Sequence, residues 1–231
     1  MVPATFESAG MRMQFRDRTE AGELLAEQLT AYANQPDVIV LALPRGGVPV
    51  GAQVATKLQA PLDVFVVRKL GLPGHPELAM GAIATGGVRV FNADVVNAFR
   101  ISDEVITAVT AEEFQELRRR ERSYRGDLPP PQVEGKTVIV VDDGIATGST
   151  MLGAISALRQ LKAGRVVVAA PTIACTTCDY LRENCDEVVA VIVPQEFYGV
   201  GQWYADFSQT TDEEVQRLID EMRNRRWPAT A

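Results

Sequence analysis

Thr137-Val-Ile-Val-Val-Asp-Asp-Gly-Ile-Ala-Thr-Gly-Ser-Thr150 is an apolar, β-branched run that stops at two adjacent carboxylates and continues through small and hydroxylic residues. A short, continuously apolar run of this kind reads as a strand buried on both faces. The spacing of Met151, Ile155, Leu158 and Leu161 then predicts an amphipathic helix, so the loop lies at a helix N-terminus. Small residues let backbone curl around a ligand. Free N–H groups and hydroxyls there bind phosphate, aided by the positive end of the helix. Asp142 and Asp143 stand where the sugar of such a phosphate would lie. Carboxylates accept hydrogen bonds from a diol and hold Mg2+ through its waters. The stretch predicts a site for a phosphorylated sugar with a metal.

Outward from this segment, strand-like runs alternate with helical ones. Leu24, Leu25, Leu29 and Tyr32 space one apolar face of a first helix; Val38–Leu43 reads as a buried strand, Val48–Leu58 as a helix and Leu62–Val67 as a strand. Gly81–Thr85 and Val88–Phe91 flank Gly86-Gly87, a hairpin signal. Ser102 is placed to cap a long helix reaching about Tyr124, with Glu116 and Arg120 spaced to pair. Val166–Ala170 and Val188–Val193 read as strands around a cysteine-bearing helix, and Thr211 opens a capping box for a last helix. The alternation predicts an α/β fold, a parallel β-sheet flanked by helices. Ligands of such sheets bind at the carboxyl ends of strands, where the loops Pro44–Gly47, Arg68–Met80, Asp142–Thr150 and Pro194–Asp206 are expected to converge. With no repeat or linker in view, residues 1–231 read as a single domain, with hood elements near 194–210 and a C-terminal helix over 211–226.

Val138–Thr150 resembles the phosphoribosyl diphosphate (PRPP) signature of type I phosphoribosyltransferases: four apolar residues, two acids, then a Thr/Gly-rich loop. The resemblance implies that fold, with a small hood and a flexible flap, and an enzyme using Mg2+ as cofactor. Such an enzyme transfers ribose 5-phosphate from PRPP to a nitrogenous base and releases pyrophosphate. Asp142 and Asp143 would hold the ribose hydroxyls and support the metal, and Gly144, Ile145, Ala146, Thr147, Gly148, Ser149 and Thr150 would complete the PRPP loop. In Pro44-Arg45-Gly46-Gly47, Arg45 offers a fork for phosphate oxygens and the glycines admit close approach. The resemblance makes this the pyrophosphate loop and Arg45–Gly46 the candidate for a non-proline cis peptide. Arg68 and Lys69 match the basic entrance of the flap, with Arg45, Lys69, Asp142 and Asp143 as the catalytic set. His75 is either a flap contact or structural. In the aromatic segment Pro194–Phe207, Phe197 is the candidate to stack a base; packing on the core or on a partner subunit is the competing reading. Val200-Gly201 with Asp206-Phe207 looks faintly like the hood of hypoxanthine-guanine enzymes, yet Ala146 stands where those enzymes carry an aspartate. The loop is closer to the adenine type. A non-catalytic PRPP- or nucleotide-sensing protein of the same fold is the alternative.

Composition bounds the rest. Net charge is −7, which argues against a general nucleic-acid or membrane-surface binder. The basic run Arg118–Arg122 then reads as a solvated helix end. No apolar run reaches the ~20 residues of a membrane span, and Met1–Met13 has no signal-peptide core, so a cytoplasmic location is expected; a homodimer is a separate expectation. Cys175, Cys178 and Cys185 give no disulfide framework and too few ligands for zinc, with His75 the only histidine; they read as inert thiols.

Overall fold

The computed structural model describes residues 14–225, apart from the side chains of Pro76 and Glu77; Met1–Met13 lie outside the described residues. A five-stranded parallel sheet runs β2(Leu62–Val64), β1(Val38–Ala42), β6(Thr137–Val141), β7(Arg165–Thr172), β8(Glu187–Ile192). β1 and β6 are buried at every residue, as continuous β-branched runs require when both faces are covered. Their side chains alternate between two cores. Val40, Ala42, Ile139, Val141, Val167 and Ala169 face one core, shared with α1(Arg18–Gln28), α2(Gly47–Leu58) and α7(Asp212–Asn224). Ile39, Leu41, Val138, Val140, Val166 and Val168 face the other, with α5(Ser149–Gln160) and α6(Cys175–Arg182). The expected parallel sheet flanked by helices is the architecture found.

The strand order positions the site. The chain passes from β1 to β2 on one side and returns with β6 on the other, so β1 and β6 flank the topological switch point. Their register runs from Val38↔Thr137 to Ala42↔Val141, so the two following loops start side by side.

Other expectations need correction. Residues 68–80 do not form an open loop. β3(Val67–Leu72) and β4(His75–Ala84) make a hairpin, joined by β5(Val88–Phe91) into a separate antiparallel sheet. Pro73-Gly74, with Gly74 at φ +82°, supplies the Pro-then-left-handed-Gly pair of a type II turn. Leu70, Met80 and Ile83 are buried with Leu117 of α4(Asp103–Arg125), which a solvated flap would not allow. The Leu62–Val67 run divides between β2 and β3. On the first helix Leu25 and Leu29 are buried as expected, but Leu24 is exposed, and Ala21 and Ala26 complete the buried face. Cys185 lies beyond the end of α6.

Helix termini follow local chemistry. Thr211 accepts from the Glu214 N–H at 3.1 Å and caps α7 as its pattern predicts. The C-terminal end of α4 is fixed to β2 by Arg125, whose Nε and Nη2 each donate to Asp63 at 2.8 Å. Glu116 takes Arg119 and Arg120, Arg118 lies over the Phe114 ring, and Arg122 faces Asp127, so the basic run is internally matched. Among the described residues no helix is long and apolar enough to cross a membrane.

Candidate active site at the carboxyl edge of the sheet

β6 ends at Val141, and the half-buried Asp142 and Asp143 follow at once. The Asp142 carboxylate accepts from the Asp143 N–H at 2.9 Å. Desolvation, and then the charge of Asp143, push the Asp142 carboxyl well above the usual range. Asp143 is held differently. Arg18 of α1 donates from Nε to its Oδ2 at 2.8 Å, and the Tyr204 hydroxyl donates to its carbonyl. Burial, then Asp143, raise the Tyr204 phenol.

The loop after Asp143 divides into two parts. Ile145 is buried and donates to the Thr172 carbonyl at 2.9 Å, while Thr177 donates to the Ala146 carbonyl, so the loop is laced to β7 and α6. Ala146, Thr147, Ser149 and Thr150 are exposed, with the hydroxyls of Thr147 and Ser149 3.3 Å apart beside the first turn of α5. These are the groups open to a phosphate. Gly148 has φ +73°, and a Cβ there would lie 2.8 Å from Thr177 Cγ2. Glycine is needed by the turn and by the contact with α6.

The loop after β1 presses on the same acids. A Cβ on Gly46 would fall 1.9 Å from Asp143 Oδ2, and one on Gly47 would fall 2.7 Å from the Val141 carbonyl. The cis peptide is Pro44–Arg45, one bond earlier than expected at Arg45–Gly46. Arg45 reaches toward α7, with Nη1 3.7 Å from Asp212 Oδ1; the same oxygen accepts from Tyr124 at 2.8 Å. Burial, then that bond, push the Tyr124 phenol up to about 12.

The remaining predicted residues separate. Arg68 is paired with Glu113 of α4 at 2.7 Å. Lys69 stands opposite Ala82 in the β3–β4 register, on the face where Ala82 meets Gly153 of α5. His75 is exposed opposite Leu72. Phe197 packs beside Trp203, ring centroids 6.2 Å apart, in a cluster with Phe15, Ala21 and Tyr204. The three cysteines are free, and burial raises the thiols of Cys178 and Cys185. A cavity of about 280 Å3 lies elsewhere, between the β4–β5 turn and the end of α4, lined by Phe114, Arg118 and Leu128 among others.

Sequence reasoning missed Arg18 and the way the hood is built. Residues before α1 pair with the hood: Phe15 N donates to the Trp203 carbonyl at 2.8 Å, and Ala205 N donates to the Phe15 carbonyl at 2.7 Å. The Arg18 guanidinium lies 4.1 Å from the Phe207 ring centroid and donates to the Ser208 carbonyl. Arg18 precedes Asp143 by 125 residues, and no local pattern announces that pairing.

Among the described residues no group of three or more His, Cys, Asp or Glu side chains could hold a metal ion. Asp142 is a desolvated carboxylate crowded by a second one, a pair whose charge a cation would offset.

The sequence model of the phosphoribosyl transferase domain matches residues 16–192, more than three quarters of the chain. The chain belongs to the phosphoribosyl transferase family. Two Mycobacterium tuberculosis proteins, each described as a "putative phosphoribosyl transferase", are 44% identical to it over 206 residues. That alignment covers 89% of this chain and 46% of each relative, so the chain spans about half the length of those proteins. The crystal structure of TT1426 from Thermus thermophilus is 42% identical, with a TM-score of 0.81, covering 91% of this chain and 99% of that one.

Proposed function

We propose that this chain binds PRPP with Mg2+ at the carboxyl edge of β1 and β6 and transfers its ribose 5-phosphate to a nitrogen of a planar nucleobase. The observation that carries this reading is the contact between the two loops. The backbone at Gly46 lies against the carboxylate of Asp143, so a pyrophosphate on one loop and a ribose on the other would be neighbours. A shared edge at the switch point is where a ligand with phosphates at both ends of a sugar fits.

In this reading the 5-phosphate binds the exposed Ala146, Thr147, Ser149 and Thr150 at the start of α5, while Gly144, Ile145 and Gly148 hold the loop's shape. Asp142 and Asp143 accept hydrogen bonds from the ribose hydroxyls. Arg45, with Gly46 and Gly47, receives the pyrophosphate, exchanging the half-exposed Asp212 for a ligand anion. Lys69 adds charge from the antiparallel sheet; Arg68 keeps that sheet on α4 through Glu113. The bond from the anomeric carbon to pyrophosphate oxygen breaks with its electron pair leaving on oxygen. The base nitrogen donates the pair that forms the new bond and loses its proton to solvent or a ligand oxygen. The chain needs no nucleophile of its own; it orients both partners and stabilises the departing anion. Mg2+, when bound, would neutralise charge on the pyrophosphate oxygens.

The base belongs under the hood. Gln202 Nε2 and Trp203 Nε1 are buried donors there without partners among the described residues, which suits an acceptor-bearing heterocycle. Phe197 offers the stacking surface left by Trp203. Ala146 removes the carboxylate implied for oxopurine enzymes, so adenine should precede guanine. Incubation with PRPP, Mg2+ and a panel of purines, pyrimidines, orotate and nicotinate tests the reading through pyrophosphate release. Release that requires one base supports it. Tight binding with no release identifies a PRPP sensor, and release without any base identifies a hydrolase.

A further inference from the structure

We infer that Arg18 is a positioning residue that couples the hood to the sugar-binding carboxylate; the inference rests on the functional reading above. One guanidinium is fixed from three sides: by Asp143 Oδ2 at 2.8 Å, by the Phe207 ring at 4.1 Å, and by the Ser208 carbonyl. The Arg18 and Asp143 side chains are 12% and 14% exposed, so the pair has one orientation rather than a solvated range of them. Asp143 is further confined by the Tyr204 hydroxyl on its carbonyl and by the Gly46 backbone against its carboxylate. Tyr204 itself stacks on Phe207, with centroids 5.2 Å apart. The carboxylate that would read the ribose and the loop that would cover the base thus share one support.

The chemistry requires arginine. It must reach Asp143 through Nε and Ser208 through Nη1 while lying on an aromatic face, and a lysine ammonium cannot do all three. Arg18 touches no reacting atom in this scheme; it acts through Asp143. Its loss would free Asp143 to turn from the ribose, while Arg45 would keep its contact with Asp212 and Gly47 its place against the Val141 carbonyl.

The test is calorimetric titration of the full chain with ribose 5-phosphate and, separately, with pyrophosphate, each with Mg2+. Arg18→Gln should weaken ribose 5-phosphate about tenfold, equivalent to ~1.4 kcal/mol, and leave pyrophosphate unchanged. The Arg18→Gln/Asp143→Asn double variant should be no weaker than Asp143→Asn alone, the non-additivity of residues acting as one unit. Additive losses, an unaltered ribose 5-phosphate affinity, or an equal fall for pyrophosphate would each overturn the inference. If Arg18→Gln fails to melt cooperatively, Phe207→Leu keeps both charged partners and removes only the ring. It should give a smaller loss that vanishes in the Asp143→Asn background, and no loss would sink the inference. A wild-type chain that ignores both ligands overturns the functional reading itself, whereas wild-type-like binding by Arg18→Gln overturns only the role of Arg18.

Discussion

Gly46→Ala isolates the contact between the two ligand loops. Gly46 has φ −59° and ψ −31°, helical values that alanine adopts freely. Backbone entropy alone would therefore make the substitution stabilising by ~0.4–1 kcal/mol. The new Cβ opposes this, because it would sit 1.9 Å from Asp143 Oδ2 and 2.5 Å from Asp143 Cγ. The carboxylate must retreat by about 1.5 Å or more to restore an ordinary contact. It cannot swing away freely, because Arg18 holds that same oxygen at 2.8 Å. Disrupting a charge-assisted hydrogen bond costs ~1.5–3 kcal/mol. The net destabilisation is about 1–2 kcal/mol, and at ~2–4 °C per kcal/mol for a chain of this size Tm should fall by about 2–8 °C. Differential scanning calorimetry reads the shift, and calorimetric titration should show PRPP affinity down by about tenfold or more. Gly199→Ala is the control, since no atom of the described residues lies within 4 Å of its added Cβ. A Gly46→Ala protein as stable as the wild type, with unaltered PRPP affinity, would refute the placement of the two loops.

Three further outcomes are expected. Lys69→Ala should lower turnover more than PRPP affinity if the lysine meets the leaving group mainly in the transition state; equal losses would assign it to ground-state binding. Arg125→Met should cost about 3 kcal/mol in urea unfolding, because it strands Asp63 beside a side chain only 4% exposed; a change under about 0.5 kcal/mol would show the pair to be dispensable. Hydrogen bonds from Arg119 and then Arg120 lower the Glu116 carboxyl to about 2. A folded-state value below the unfolded one stabilises above the ordinary carboxylate range and is lost as pH falls toward that value. The urea midpoints of wild type and Glu116→Gln should therefore converge in acid, and a gap that persists below about pH 2 contradicts the pairing.

What was legible in the sequence was local. The Val138–Val141 run, the two acids and the helix after them lie within one strand–turn–helix unit, and burial on both faces leaves such a run few other states. The capping box at Thr211 is equally local. The residues 68–80 misled because Gly and Pro suit both mobile loops and tight turns; the buried Leu70, Met80 and Ile83 decide for the hairpin. Gly148 carries a second constraint that no local pattern announces: its missing side chain makes room for Thr177, a residue of a later helix. Arg18, Asp212 and Glu113 escaped because each meets its partner only through the fold. An arginine near the start of a helix carries no sign of the carboxylate it will hold.

The central claim is that PRPP binds at Asp142 and Asp143, beside the loop at Gly46. Calorimetric titration of wild type and of Asp142→Asn/Asp143→Asn with PRPP and Mg2+ tests it most directly. The account predicts saturable one-site binding by the wild type and its loss, with a retained cooperative melt, in the double variant. Absence of binding to the wild type, or equal binding by both proteins, would contradict it.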